Sequence, residues 1–266
     1  MTSTEWQGKT VMITGGTRGV GRACADQLLV AGANVAVCAR TQAHLDAMAA
    51  DGASAERLLC VRADVGNAAD LERFYKETVT RFGAGSVKGL VNNAGGAVVG
   101  AFMESTDDDW KKHLDVRLMA TVRLSRIVAR GMGANGGGSI VNIAGAAGAD
   151  PTAFLAVAGV VNAGIINLSR MMADELADLR VRVNTVNPGT LDSDLGAEVL
   201  ALYAGKMGLD TELLRDEMYS TMPLGRIPVP ADVAHAVVFF LSERAGMITG
   251  SALTPDGGIL IRRVRG

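Results

Sequence analysis

A glycine-rich segment near the N-terminus, residues 14–21, offers the clearest chemistry in the chain. Glycines let the backbone approach a pyrophosphate closely, and a helix that begins there adds unpaired N–H groups and the positive end of its dipole. An apolar run at residues 10–13 precedes the segment, and a helical pattern begins at Arg22, so the glycines stand in a strand–turn–helix context. The pattern predicts that the phosphates of a dinucleotide are bound by Gly15, Thr17, Arg18, Gly19, Val20 and Gly21.

The end of the second predicted strand indicates which ribose this segment accepts. A dinucleotide fold that selects an unphosphorylated ribose usually places a carboxylate there to bind the 2′-OH. Here Ala39 and Arg40 occupy that end, and Arg18 lies in the glycine-rich segment. Two guanidiniums suit a 2′-phosphate, although Arg40 could also be a solvated surface charge. The pattern favours NADP(H).

The elements that must position these residues alternate between strand and helix patterns along the whole chain of 266 residues. No proline-rich linker, repeat or low-complexity tract interrupts them. Such alternation is typical of an α/β domain with a parallel sheet. The length fits one such domain over residues 1–266.

Composition argues against several kinds of partner. A net charge of −2 without a dense Lys/Arg cluster gives no footprint for nucleic acid or for a membrane surface. The longest apolar stretch, residues 153–168, is short for a membrane span and is interrupted by Asn162, so we interpret it as a buried helix. Residues 1–5 have neither a basic region nor an apolar run. We therefore expect a cytoplasmic protein, and no metal site, because the three cysteines lack metal-ligand spacing.

Further motifs follow the glycine-rich segment in a fixed order: Asp64-Val65, Asn92-Asn93-Ala94-Gly95, residues 139–143, residues 183–189 and residues 256–258. This ordered set resembles the classical short-chain dehydrogenase/reductase family over residues 8–258. The resemblance implies a Rossmann-like, doubly wound parallel sheet of about seven strands with helices on both faces. It also implies NADP(H) binding and, as is usual in the family, a homotetramer.

The same resemblance implies further cofactor contacts. Asp64 would bond the amino group of the adenine, and Val65 would pack near the ring. Asn93, Ala94 and Gly95 would line the cofactor site, and Pro188 and Gly189 would approach the nicotinamide.

In that family, a tyrosine protonates the carbonyl oxygen and a lysine four residues later lowers the pKa of the tyrosine. A serine binds the oxygen, and an asparagine on a helix completes a proton relay. Two anchors, residues 142–143 and residues 168–176, allow these positions to be counted from either side. The first count places the serine, tyrosine and lysine positions at Gly145, Ala158 and Asn162, and the count back from the second anchor again gives Asn162 and Ala158.

The asparagine position, which follows Asp115-Val116, is Arg117, so all four positions differ from the family pattern. None of the three tyrosines, Tyr75, Tyr203 and Tyr219, lies between residues 143 and 170. We assign no catalytic residue. His113 lies beside two lysines on a helix that a capping sequence introduces, and we expect it to be exposed.

Residues 190–227, here called the lid segment, correspond to the part of the family fold that covers the substrate. The segment carries carboxylates, Tyr203, Tyr219 and three methionines. Its closure could bring a tyrosine or a carboxylate over the pocket. Helix-surface charges with methionines packed beneath them are the favoured interpretation of the same pattern.

Losing a positioned general acid costs ~10²–10⁴ in rate, so ordinary ketone reduction by the family mechanism is not expected. We expect an NADP(H)-binding protein that is non-catalytic or regulatory, with an unidentified small-molecule ligand. It would form a homotetramer or a mixed tetramer with an active paralogue.

Two alternatives stay open. One is an enzyme of isomerase, dehydratase, cyclase or decarboxylase type that uses Arg117, Asn162 or a residue of the lid segment. The other is a weak or unconventional NADPH-dependent carbonyl oxidoreductase with a water-mediated proton supply.

Overall fold

The computed structural model describes residues 5–50, 55–96 and 98–261. Within them, seven strands form one sheet in which all neighbours are parallel, in the order β3-β2-β1-β4-β5-β6-β7. The strands are β1 (Thr10–Thr14), β2 (Asn34–Ala39), β3 (Leu58–Arg62), β4 (Val87–Asn92), β5 (Gly138–Ile143), β6 (Val181–Val186) and β7 (Ala252–Leu253). The predicted Rossmann-like sheet of about seven strands is confirmed.

Helices cover both faces of this sheet. They are α1 (Gly19–Val30), α2 (Gln42–Ala50), α3 (Ala68–Phe82), α4 (Asp107–His113), α5 (Ala120–Ala134), α6 (Ala156–Glu175), α7 (Asp194–Met207), α8 (Thr211–Thr221) and α9 (Pro230–Leu241). Side chains alternate between the faces of a strand. In β1, Val11 and Ile13 therefore join the core beneath α1 and α9, whereas Met12 joins the core beneath α3 and α5.

The order of the strands creates a crevice at one edge of the sheet. From β1 the chain proceeds to β2 and β3 on one side, and to β4, β5 and β6 on the other. Connections diverge at this switch point, and the carboxyl ends of β1 and β4 are left open between them. The segments after β1, β4, β5 and β6 meet there, and they carry most of the predicted site residues.

Two local features shape this edge. Residues Leu114–Met119 form a π-helical turn between α4 and α5, a distortion that is frequent at functional sites. The lid segment folds into α7 and α8, whose first turns are capped by the side chains of Ser193 and Asp210. Its closure over a ligand stays a prediction.

Helix α6 is the one helix of the described residues with the length and apolar composition to cross a membrane. The buried core helix of a soluble protein has the same length and composition. Here α6 packs against β6 and the π-helical turn, and Val157, Val161 and Ile165 are buried. The interpretation of residues 153–168 as a buried helix agrees with this packing.

Candidate functional site

A cavity of about 1210 Å³ follows the carboxyl edge of the sheet from the glycine-rich segment to the lid segment. Most of the residues predicted to bind the cofactor line it: Gly15, Thr17, Arg18, Gly19, Val20, Arg40, Val65, Asn93, Ala94, Gly95, Pro188 and Gly189. The fold thus brings together residues from five separate motifs. Their individual cofactor contacts stay predictions.

Two predicted residues lie outside the cavity wall. Gly21 is buried beneath the glycine-rich segment, and a Cβ there would lie 2.3 Å from the carbonyl oxygen of Gly15. Its lack of a side chain allows α1 to pack closely, which is a different role from direct contact with a phosphate. The Asp64 side chain is exposed, and its Oδ1 accepts a hydrogen bond from the Gly66 N–H at 2.9 Å. Of this motif, Val65 reaches the cavity.

The glycine-rich segment and the segment after β4 hold each other in place. The Thr14 hydroxyl accepts hydrogen bonds from the backbone N–H groups of Asn93 and Ala94, at 2.9 and 3.0 Å. The Asn93 side-chain amide donates to the carbonyl oxygens of Thr14 and Gly15, at 3.0 and 3.1 Å. Gly15 has a φ of +67°, in the left-handed region that favours glycine. This double connection fixes the shape of the cavity wall.

The N-terminus of α1 is suited to a phosphate. Arg18 precedes the helix in an extended conformation, and the helix has neither a side-chain cap nor an acidic residue in its first turn. Its first N–H groups and its dipole thus remain available to an anion. The side chains of Arg18 and Arg40 are exposed, line the cavity and have no hydrogen bond or ion pair within the described part of the chain. These residues fit a phosphorylated dinucleotide.

At the other end of the cavity, Arg117 is held by the π-helical turn and by three hydrogen bonds. Its Nη2 donates to the carbonyl oxygens of Ile143 and Ala144, at 3.2 and 3.0 Å, and to Oδ1 of Asn162 at 2.8 Å. Only 7% of Arg117 is exposed, and burial lowers the pKa of its guanidinium to about 10. The side chain therefore remains a cation at neutral pH.

Asn162 is positioned by this guanidinium. Because its Oδ1 accepts from Arg117, its Nδ2 is the donor left over, and Nδ2 has no hydrogen bond to any described residue. Nδ2 lies over Gly145, where a Cβ would approach it to 2.6 Å. Gly145, Ala158, Asn162 and Arg117 all line the cavity, so the four positions counted from the sequence meet at one place.

The contact between Gly145 and Asn162 leads to a testable expectation. Because the φ of Gly145 is 174°, a serine there would meet no backbone strain, but its Cβ would displace the Asn162 amide. We expect Gly145→Ser to lower the free energy of unfolding by about 1–3 kcal/mol through overpacking. We also expect it to weaken the hydrogen bond from Arg117 to Asn162. Urea unfolding, and a crystal structure of the variant, would measure both effects.

Gly205→Ser is the matched control, because a Cβ at Gly205 has open space around it. Equal stability losses for the two variants would contradict the steric account.

His113 lies elsewhere than expected. It is 6% exposed and lines the cavity, so the prediction of an exposed histidine is wrong. Thr106 caps α4 as its sequence predicts, with a reciprocal bond from Asp109, but the last turn of the helix faces α6. Burial lowers the pKa of His113 to about 4, assisted by the positive charge of Arg117. Its Nε2 is buried without a hydrogen-bond partner among the described residues.

This neutral histidine predicts a dependence of stability on pH. Above pH ~6.5, neither the folded nor the unfolded chain protonates His113, so it contributes nothing. As the pH falls from ~6.5 towards ~4, the unfolded chain gains a proton that the folded protein excludes, and folding is weakened by about 2–3 kcal/mol. We expect His113→Gln to lose this component. Urea unfolding of both proteins at about pH 7.5 and about pH 4.5 measures it, and identical pH dependence would contradict it.

The lid segment contributes Tyr203 to the cavity wall. The ring of Phe154 packs edge-on against Tyr203, with their centroids 5.9 Å apart. The hydroxyl of Tyr219 donates to Asp192 at 2.8 Å, and this bond raises the pKa of the tyrosine. Of the two tyrosines in the lid segment, Tyr203 is thus the one that lines the cavity.

Comparison with known proteins identifies the family. Residues 15–260 match the family described as enoyl-(acyl carrier protein) reductase. The chain is 34% identical to the L-xylulose reductase of Mesocricetus auratus, over 96% of its own length and 97% of that protein. It is 33% identical to the D-erythrulose reductase of Gallus gallus, over 96% of its own length and 97% of that protein. The chain belongs to the short-chain dehydrogenase/reductase family.

A solved structure agrees with this assignment. Actinorhodin polyketide ketoreductase, in a variant solved with NADPH, superposes on this short-chain dehydrogenase/reductase with a TM-score of 0.89 and 29% identity. The match covers 94% of this chain and 97% of that one. The resemblance stated from motifs alone is therefore confirmed at the level of family and fold, and reductases of this family use a nicotinamide cofactor.

The expectation of a non-catalytic or regulatory protein is wrong. Relatives that match this short-chain dehydrogenase/reductase along almost its whole length include several that are named as reductases, and these point to ordinary ketone reduction. That expectation rested on the residue types at four positions counted from the sequence. It could not take account of the contacts between those residues, such as the bond between Arg117 and Asn162.

Sequence reasoning also missed His113 as a residue of the site. A signal was available, because His113 precedes Arg117 by four residues, and residues so spaced share one face of a helix.

Proposed function

We propose that this protein is an NADPH-dependent reductase of a ketone. The observation that carries the proposal is that one cavity has both a phosphate-binding end and an end with hydrogen-bond donors. Arg18 and Arg40 lie at the phosphate-binding end, and Arg117 and Asn162 supply the donors at the other end. A reductase needs both ends, because it must hold a nicotinamide cofactor and polarise a carbonyl group beside it.

In this proposal, the glycine-rich segment and the N-terminus of α1 hold the pyrophosphate, and Arg18 and Arg40 hold the 2′-phosphate. Val65 borders the adenine site, and the segments 93–95 and 188–189 border the nicotinamide. NADPH supplies the hydride that adds to the carbonyl carbon. Two guanidiniums without an acidic partner among the described residues favour NADPH over NADH, because NADH has no 2′-phosphate to neutralise them.

Asn162 donates a hydrogen bond from Nδ2 to the carbonyl oxygen of the ketone. The bond from Arg117 to Asn162 Oδ1 polarises the amide and strengthens its donor, since linked hydrogen bonds reinforce each other in a low-dielectric site. As the new C–H bond forms, the π electrons of the carbonyl group move to the oxygen. The Arg117–Asn162 pair stabilises this developing negative charge.

The alkoxide takes its proton from water. The positions that hold a serine and a tyrosine in the family pattern are here Gly145 and Ala158, and neither residue supplies a hydroxyl group to this part of the cavity. Asn162 and Arg117 stand at the lysine and asparagine positions. The site thus keeps stabilisation of the oxygen and replaces a dedicated proton donor with solvent.

We also propose that the protein is a cytoplasmic homotetramer, the assembly usual in its family. Since the chain has its own donors, a mixed tetramer with an active paralogue is not required. Light scattering on the purified protein tests the assembly, and a monomer would contradict it.

The function is tested in two steps. Titration calorimetry with NADPH and with NADH measures cofactor binding, and we expect NADPH to bind more tightly. The absorbance of NADPH is then followed with a set of neutral and carboxylated ketones, and we expect ketone-dependent oxidation. Bound NADPH that no ketone oxidises would overturn the proposal.

A further inference from the structure

The guanidinium of Arg117 is a buried cation with unused donors. All three hydrogen bonds of the guanidinium are donated by Nη2. Among the described residues, Nη1 has no hydrogen-bond partner, and Nε is buried without one. An unpaired buried charge is costly, and proteins normally neutralise one with an acidic partner.

No such partner exists within the described residues. Asp115, the nearest acidic residue along the chain, pairs with Arg123 at 2.7 Å. The carbonyl oxygens of Ile143 and Ala144 and the amide of Asn162 are dipoles without a net charge. The positive charge of Arg117 is therefore left for a ligand to neutralise.

His113 adds a second orphaned nitrogen to the same wall. It lies one helical turn before Arg117, lines the same cavity, and has a buried Nε2 without a partner in the described part of the chain. Two independent side chains thus have polar atoms that are buried and unsatisfied next to one space. Buried polar groups in folded proteins are rarely left so, because each costs about 1–3 kcal/mol.

The position of Arg117 is tied to the loop that borders the nicotinamide site. Its aliphatic stem crosses Gly95, where a Cβ would come within 2.2 Å of Arg117 Cδ. The guanidinium therefore has a fixed place beside Asn162. An anionic group bound to Nη1 would lie close to a carbonyl oxygen bound to Asn162 Nδ2, since the two donors belong to one hydrogen-bonded pair of side chains.

We propose that Arg117 and His113 bind a carboxylate of the substrate, and that the substrate is a 2-oxo carboxylate. The carboxylate lies on Arg117, and the adjacent ketone oxygen lies on Asn162. The ketone half of this inference rests on the proposed function, whereas the carboxylate half rests on the unpaired charge alone. In neutral ketones, the group that offsets this charge is missing.

Oxamate, a 2-oxo carboxylate analogue that cannot be reduced, tests the carboxylate site without turnover. Calorimetry on the purified protein compares oxamate with its neutral amide, oxamide. We expect oxamate to bind at least about tenfold more tightly, the contribution of one charge-assisted hydrogen bond. Arg117→Gln should abolish the preference, and Arg117→Lys should keep part of it. Arg126→Gln removes an exposed arginine of α5 outside the cavity and should leave it unchanged.

The imidazole signals of His113 give a second readout that a purely structural role would not move. We expect oxamate to raise the pKa of His113, because a bound anion favours the imidazolium. Equal binding of oxamate and oxamide, or an unchanged His113 titration, would overturn the carboxylate site.

NADPH oxidation separates this inference from the proposed function. Oxamate binding without oxidation of any ketone would support the carboxylate site and overturn the reductase. The opposite result would be NADPH oxidation that is no faster with 2-oxobutyrate than with butanone, together with equal binding of oxamate and oxamide. It would support the reductase and overturn the carboxylate site.

Discussion

Arg117→Met is expected to lower kcat/KM for a 2-oxo carboxylate by about 10²- to 10³-fold, the usual effect of removing a donor that stabilises a developing oxyanion. Methionine occupies a similar volume but removes the charge that polarises Asn162 and binds the carboxylate. With a neutral ketone, the loss should appear mainly in kcat, because Arg117 then only polarises Asn162 and binds no carboxylate. Steady-state NADPH oxidation with both kinds of ketone measures the difference.

Two further proteins control this comparison. Arg117→Lys retains a cation, and its kcat/KM should lie between the wild type and Arg117→Met. Arg126→Met removes an exposed arginine of the neighbouring helix and should behave as the wild type. Because Arg117 also donates to two carbonyl oxygens, thermal unfolding must show that each variant folds. A folded Arg117→Met with wild-type kinetics would contradict the role of the arginine.

The second large effect is expected at the opposite end of the cavity. Replacing Arg18 and Arg40 together by alanine should raise the Kd for NADPH by about 10²- to 10³-fold, since each charge-assisted bond contributes about 1.5–3 kcal/mol. The Kd for NADH should change little, because the missing contacts are made to the phosphate that NADH lacks. Calorimetry with both cofactors measures the two constants.

Replacing two exposed arginines of α5, Arg126 and Arg130, together by alanine serves as the charge-matched control. If the double variant at Arg18 and Arg40 weakened NADPH and NADH equally, the loss would come from the glycine-rich segment as a whole. The assignment of a 2′-phosphate site to Arg18 and Arg40 would then be wrong.

The fold could be predicted because the sequence patterns that indicate it are either short and local or are motifs in a fixed order. A buried strand such as β1 gives a short apolar run, and the glycines after it restrict what the turn can be. The order of motifs then fixed the family and the sheet. Strand β7, with two residues, is too short to leave such a pattern.

The candidate site could be predicted in part. The three residues selected by counting from the anchors, Gly145, Ala158 and Asn162, all line the cavity. Ala158 and Asn162 lie one turn apart in α6. The bond between Arg117 and Asn162 could not be predicted, since it joins residues 45 positions apart and depends on the π-helical turn. A pattern shows which residue types occupy the counted positions, but not which contacts those residues make.

The burial of His113 could not be predicted from the sequence, for a related reason. Its neighbours Lys111 and Lys112 indicate an exposed helix, and at the end of α4 one turn decides which side chains face inward. That turn packs towards α6, a contact between distant parts of the chain. Periodicity along seven residues is too short to reveal it.

The most direct test of the central claim is the transfer of deuterium from labelled NADPH to the carbonyl carbon of a 2-oxo carboxylate. The purified protein is incubated with NADPH deuterated at the reactive carbon of the nicotinamide, and the product is analysed by mass spectrometry. We expect a 2-hydroxy carboxylate that carries deuterium at its carbinol carbon, formed by the wild type and almost lost in Arg117→Met. If labelled NADPH binds and no ketone in the set yields a deuterated alcohol, the protein is not the reductase proposed here.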